Sequence, residues 1–313
     1  MFFTLLTFAL LASAISANKI LLYSMAPTLL VGIRMFSAGL ILLLYTFTNP
    51  QIRISWNNIK KNLSSLIIIT LTTTFIPSIL KAYSLKNISS SKMAFFGALD
   101  PFITAVFAYF MLNEKLNYKK IVGIFIGLLG SIILNYDNTK LNHFLLSRPE
   151  LVIIISITIT RFGWMTAQKL LKKNIYQPVQ LNAITMLLSG IISLNIAFIS
   201  KQTNIIPILN NNLHIFKYSF FKSLLHHLGP YSILIFFILY TIIIGNVIAY
   251  NLYANLLKRH SALYVSLTSF SVPLLVHLYG FLFLDENLSI KFLLSCIVTF
   301  TGLIIFSRAE EKK

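Results

Sequence analysis

Residues 95–134 read FFGALDPFITAVFAYFMLNEKLNYKKIVGIFIGLLGSIIL. Two apolar runs, each near the ~20 residues that cross a bilayer, flank a short polar hinge containing Glu114, Lys115, Lys119 and Lys120. The first run carries Asp100 beside Pro101, and the second carries Gly123, Gly127 and Gly130. Apart from Asp100, every charge lies in the hinge. This is the pattern of a helical hairpin through a membrane.

The whole chain has the same character. Of 313 residues, 57% are hydrophobic and only 11% charged, against ~25% charged in a soluble domain. A chain this apolar places most of its surface in lipid. The net charge of +18 comes from 26 Lys and Arg against 8 Asp and Glu. These basic residues sit in short breaks between apolar runs, so they read as membrane flanks and not as a nucleic-acid surface. A single cysteine, Cys296, excludes an internal disulfide and a Cys-based zinc site. Lys, Asn and Ile are abundant even in the loops, a composition suggesting an AT-rich genome such as that of a host-restricted bacterium.

Ten runs are long enough to span: 2–22, 28–47, 64–83, 91–112, 118–136, 151–171, 179–199, 230–256, 261–284 and 289–307. Ala12-Ser13-Ala14 has the small residues of a signal-peptidase site. No Lys or Arg precedes it and the run continues to Leu22, so it reads as the first span. With the N-terminus inside, 14 Lys and Arg fall on inner segments and 9 on outer ones. The bias predicts that both termini are cytoplasmic.

The chain also repeats itself. At an offset of 172, Ala82, Lys86, Ser89, Pro101, Glu114, Lys119 and Gly130 fall on Ala254, Lys258, Ser261, Pro273, Glu286, Lys291 and Gly302. At 151, Pro27, Met35 and Gly39 fall on Pro178, Met186 and Gly190. Chance matching in greasy sequence would favour Leu and Ile; these matches include Pro, Gly, Glu and Lys in order. The expectation is an all-α polytopic membrane protein with ten transmembrane helices as two inverted five-helix repeats, residues 1–136 and 150–313, joined by a linker at 137–149. Five is odd, so the second copy enters from the opposite side, the plan by which secondary transporters expose one site alternately.

Residues 95–134, their echo at 267–306, Lys19 in the first span and Arg34 in the second together resemble the EamA type of the drug/metabolite transporter superfamily. The resemblance covers nearly the whole chain. It implies ten helices, a plasma-membrane location (here the inner membrane of a bacterium) and carriage of small metabolites. It also implies a basic residue at Arg34; the second copy has Thr185 there.

An ionisable residue inside a span is costly unless paired, hydrated or snorkelling. Lys19, Arg34, Lys81, Asp100, Arg161 and His277 qualify. At ~1.5 Å per residue, Asp100 lies roughly 13 Å deep and Arg161 roughly 16 Å. Asp100 either pairs statically with Arg161 or Arg34, or handles substrate or protons. Lys19 is a snorkelling anchor or a site residue. Arg34 has a fork suited to carboxylate or phosphate. Lys81 reads as an interfacial anchor, and His277 as a helix–helix hydrogen bond or a proton relay. Trp164, one turn from Arg161, and Asn246 are candidate cavity walls, with Tyr83, Tyr250 and Asn251. Glu114 and Glu286 read as caps or gates of the repeats, and Pro101 and Pro273 as kinks. The face of Gly123, Gly127, Gly130 and the related Gly302 reads as a packing or homodimer surface. Apolar residues between 213 and 228 recur at helical spacing, predicting an amphipathic helix on the outer face. His214, His226 and His227 there lack an acid or Cys, so no metal site is expected.

These features predict a secondary transporter of a small polar metabolite, an amino acid or another anionic or zwitterionic solute. Expected partners are that solute and the bilayer; no cofactor is expected beyond coupling to a proton or ion gradient. The alternatives are an intramembrane enzyme and a non-transporting scaffold. Against an enzyme stand the single intramembrane Asp, the absence of His-Glu-x-x-His and the absence of a Gly-rich phosphate loop.

Overall fold

The computed structural model describes residues 2–112, 117–135, 147–206, 230–283 and 290–310. Glu114, Glu286, the segment 213–228 and most of the linker lie outside the described residues. Every regular element among those described is helical. Apart from short turns of helix at Pro50–Ile52 and Trp56–Lys61, the helices in chain order are α1 (Phe2–Leu21), α2 (Pro27–Thr48), α3 (Leu63–Asn87), α4 (Ser90–Gly97 with Asp100–Leu112) and α5 (Tyr118–Asn135). Then follow α6 (Arg148–Lys172), α7 (Pro178–Ile199), α8 (Tyr231–Arg259), α9 (Ala262–Thr268 with Ser271–Phe283) and α10 (Ile290–Glu310). Eight of these, all but α5 and α10, are long and apolar enough to cross a membrane. The chain is a multi-pass membrane protein. Its exposed large side chains, among them Leu44, Phe47, Phe110, Phe198 and Leu293, are those of a lipid-facing surface.

Helix starts follow local chemistry. Pro27 and Pro178 each open a helix, where a fixed φ helps and the missing N–H costs nothing. Glu150 accepts from the Ser147 N–H at 2.7 Å, closing a capping box, and also pairs with Lys92, tying the start of α6 to the start of α4.

Several helix pairs approach at backbone distance, and two of them do so through the glycines picked out in the sequence. A Cβ added to Gly190 of α7 would lie 2.3 Å from the Phe36 N of α2, and one on Gly39 would lie 2.4 Å from Leu187 N. Small residues are what allow such contact in lipid. Gly190→Ala is therefore expected to destabilise the protein by about 1–3 kcal/mol through overpacking, read as a lower thermal midpoint in detergent. The second pair is α5 with α10. A Cβ on Gly302 would meet Gly127 N at 2.7 Å and Gly123 O at 2.8 Å, and Ser295 Oγ donates to Gly130 O at 2.6 Å. The glycine face of α5 is thus covered by α10 of the same chain.

Two other helices are broken. α4 consists of a helix over Ser90–Gly97, a turn at Ala98 and Leu99, and a second helix over Asp100–Leu112. α9 has the same build: Ala262–Thr268, a turn at Ser269 and Phe270, then Ser271–Phe283. Each opens on a serine cap, Ser89 or Ser261, and carries its proline, Pro101 or Pro273, just after the turn. A proline there lacks an N–H and crowds the preceding carbonyls, so the helix breaks before it.

α3 and α8 each contain a π-helical stretch, at Thr70–Phe75 and Thr241–Ala249. In α3, Thr70, Thr72 and Thr73 each hydrogen-bond the carbonyl four residues back, and Pro77 cannot donate to Thr73. In α8, the Asn251 side chain donates to the Val247 carbonyl at 2.6 Å. Side chains thereby occupy carbonyls that a regular ladder would use. π-stretches are rare and concentrate at functional sites.

Candidate functional site

The turn of α4 leaves Asp100 at the N-terminus of a half-helix, buried at 5% exposure. A carboxylate is favoured there by the helix dipole. Without a cation it would still be a costly charge in the membrane interior. Arg161, at mid-span of α6, supplies that cation: its Nε pairs with Asp100 Oδ1. Its Nη1 donates to the Tyr253 hydroxyl, and its guanidinium carbon lies 5.7 Å from that ring's centre. Tyr253 is held edge-on by Trp164 at 4.9 Å and Phe8 at 6.0 Å between ring centres. Ser269 Oγ, in the turn of α9, lies 3.4 Å from Asp100 Oδ2. The broken parts of α4 and α9 therefore meet at one charged layer.

That layer borders a cavity of about 240 Å³. Its polar lining is Asn18, Arg34, Ser78, Lys81, Asp100, Thr160, Arg161, Tyr250 and Ser269; its apolar walls include Phe8, Leu11, Ile15, Leu85, Met93, Ile153 and Ile157. Towards the other end of the bundle, Leu66, Ile69, Met165, Leu171, Tyr176 and Leu257 pack into a buried cluster. The cavity thus lies on one side of the charged layer and packed side chains on the other.

Arg34 faces the cavity from α2. Nη1 donates to Asn18 Oδ1 at 2.5 Å and Nη2 to Asn246 Oδ1 at 2.6 Å. Its buried Nε makes no hydrogen bond. Among the described residues no carboxylate pairs with it. Arg161 is neutralised by Asp100, whose field Lys81 also feels, whereas Arg34 brings positive charge to the cavity without a paired acid among those residues. A buried guanidinium with free N–H groups presents a site for an anion.

The residues singled out from sequence separate into groups. Arg34, Asp100 and Arg161 come together on the cavity. Asn246 reaches it through Arg34, and Trp164 through Tyr250, whose ring centre lies 6.1 Å from its own. Lys19 does not line it; its Nζ donates to the carbonyls of Leu85 at 2.6 Å and Ile88 at 2.9 Å, at the end of α3. His277 lies elsewhere on α9, its ring stacked on Phe292 at 5.4 Å. Tyr83 is exposed and Asn251 bonds Asn182, so neither reaches the cavity. Lys81, read as an interfacial anchor, lines the cavity instead. Asn18, Tyr253 and Ser269 were missed. Tyr253 lies one turn beyond Tyr250, which was a signal; Asn18 and Ser269 gave none, because their roles depend on other helices.

Gly97, at the break of α4, also lines the cavity, and a Cβ added to it would meet nothing within 4 Å. Gly97→Leu is expected to fill the cavity without disturbing the fold. Uptake should fall about tenfold or more, since small misplacements of a bound solute are costly, with the thermal midpoint unchanged.

A membrane bundle with broken helices around a buried, charged cavity defines a class, the polytopic carriers of small solutes. The chain belongs to the EamA-like transporter family, whose sequence profile matches residues 1–136 and 148–308. It is similar to two proteins named S-adenosylmethionine/S-adenosylhomocysteine transporter. The one from Chlamydia muridarum (strain MoPn / Nigg) is 25% identical over 282 residues, covering 88% of this chain and 81% of the relative. The one from Chlamydia trachomatis serovar L2 is 24% identical, covering 88% and 79%. A crystal structure superimposes with a TM-score of 0.69 at 14% identity, over 99% of this chain and 96% of that one, a likeness of fold.

Proposed function

We propose that this transporter carries a zwitterionic solute bearing a carboxylate, of the S-adenosylmethionine and S-adenosylhomocysteine type, by alternating access between two inverted five-helix halves. The observation that carries the reading is Arg34, a guanidinium on a cavity wall held by two amide oxygens and unpaired with any acid among the described residues. Both solutes have an amino-acid carboxylate for that group, and an adenosyl moiety suited to the apolar wall and Tyr250. The names of the relatives point the same way.

The inverted halves are supported by contacts that recur under the sequence offsets. Arg34 meets Asn246 in the π-stretch of α8, and Thr74 in the π-stretch of α3 reaches Thr185 O at 3.0 Å. Thr74 answers to Asn246, and Arg34 to Thr185. Likewise Lys19 holds the Leu85 and Ile88 carbonyls, while Gln168, beside the residue 150 positions after Lys19, donates to those of Leu257 and His260, each carbonyl 172 residues later. In an inverted pair these two clasps lie at opposite membrane faces. The repeats would occupy 1–136 and 150–313, in a bacterial inner membrane, with both termini cytoplasmic. Rocking the halves about the charged layer, with the π-stretches as yielding points, would open each face in turn.

The test is exchange in proteoliposomes. Labelled S-adenosylhomocysteine should enter vesicles loaded with unlabelled S-adenosylmethionine, with a metabolite panel run in parallel. Entry of other carboxylates but not of these two would move the substrate class. No movement of any carboxylate would sink the proposal.

A further inference from the structure

We infer that Asn18 and Asn246 are the specificity-determining residues of the carboxylate subsite: they orient Arg34 while leaving its charge uncompensated. This rests on the reading of Arg34 given above.

An arginine buried for structural reasons is ordinarily met by an acid, because an unpaired charge is expensive to bury. The same cavity shows that solution in Arg161, which has Asp100. Arg34 has instead one neutral amide oxygen on each terminal nitrogen, at 2.5 Å and 2.6 Å. Asn246 is fully buried, and its amide nitrogen lies 3.3 Å from Met35 Sδ as a donor. That contact turns its oxygen towards Arg34. The α8 backbone at this point is the π-stretch, which sets where Asn246 projects.

A guanidinium has five N–H groups. The two asparagines engage two of them. One N–H on each terminal nitrogen and the buried Nε–H remain, and Nε makes no hydrogen bond. Nε–H with a neighbouring Nη–H forms the fork that grips a carboxylate with two parallel bonds. Amides fix the plane of that fork without weakening its field; an aspartate in either place would fix it as well and cancel the charge. Asparagine at both positions therefore selects for solutes that bring their own carboxylate.

The separating experiment is Asn18→Asp and, independently, Asn246→Asp. Both changes are isosteric and offer Arg34 a stronger acceptor, so a merely structural role predicts equal or better stability and unchanged transport. The inference expects the KM for S-adenosylhomocysteine to rise tenfold or more, with the thermal midpoint held or raised. It also expects the preference for S-adenosylhomocysteine over 5′-methylthioadenosine, which keeps the adenosyl part and lacks the amino acid, to fall towards parity. Asn18 is the less buried of the two, so Asn18→Asp carries the test where Asn246→Asp fails to fold. Wild-type KM and preference in the aspartate variants would overturn the inference alone. If Arg34→Ala also binds S-adenosylhomocysteine like wild type, or if wild type is neither stabilised nor competed by S-adenosylhomocysteine or by acetate, the Arg34 reading falls as well.

Discussion

Arg161→Ala is expected to lower stability by about 3–5 kcal/mol, the usual cost of leaving a buried charge without its partner, and to abolish uptake. Asp100 is 5% exposed at mid-span, and Arg161 is the cation paired with it. Truncation also removes the donor to Tyr253 and the cation over its ring, loosening the layer between the cavity and the packed cluster beyond it. The measurement is thermal unfolding in detergent beside uptake in proteoliposomes. The double variant Asp100→Leu with Arg161→Leu removes both charges and should regain much of the lost stability, since a buried pair contributes little net folding energy. If it also regained uptake, the pair would be a structural lock. Continued loss of uptake in a stable double variant is expected, because the pair forms part of the cavity itself.

Arg34→Ala is expected to separate binding from folding. Deleting one partner of a desolvated charged contact costs about 2–5 kcal/mol of binding, roughly thirtyfold to several-thousandfold. Affinity for a carboxylate solute should fall by that factor. Stability should change little, because the partners left behind are neutral amides and not an orphaned acid. Wild-type affinity in this variant would remove Arg34 from the substrate site. The opposite stability outcomes of Arg34→Ala and Arg161→Ala, two arginines on one cavity, follow from what each is paired with.

Much of this was legible in the chain. Helices through lipid must be apolar for about twenty residues, so the spans announce themselves locally. The breaks in α4 and α9 were signalled by Pro101 and Pro273, since a proline acts on its own backbone wherever it sits. The depth of Asp100 and Arg161 followed from counting residues.

Pairing was not legible. Depth places a residue along a helix and leaves its direction open. Asp100 had two candidate cations, Arg161 and Arg34; the packing of α6 against α4 brings Arg161 to it and leaves Arg34 to two asparagines. Lys81 reads from sequence as an interfacial anchor, and Lys19 as a snorkelling anchor or a site residue. Rotation of α3 turns Lys81 to the cavity, while Lys19 of α1 closes on the last carbonyls of α3. The glycine face of α5 had no distinguishable partner until α10 was seen against it.

Residues 95–134 and their echo at 267–306 thus carried the membrane class, the family resemblance and the placement of the breaks, because hydropathy, proline and glycine act through a residue's own backbone and nearest neighbours. Which cation is neutralised and which stays available to a solute was decided by helix packing, because a charge in low dielectric is governed by atoms a few ångströms away on other helices, whatever their distance along the chain.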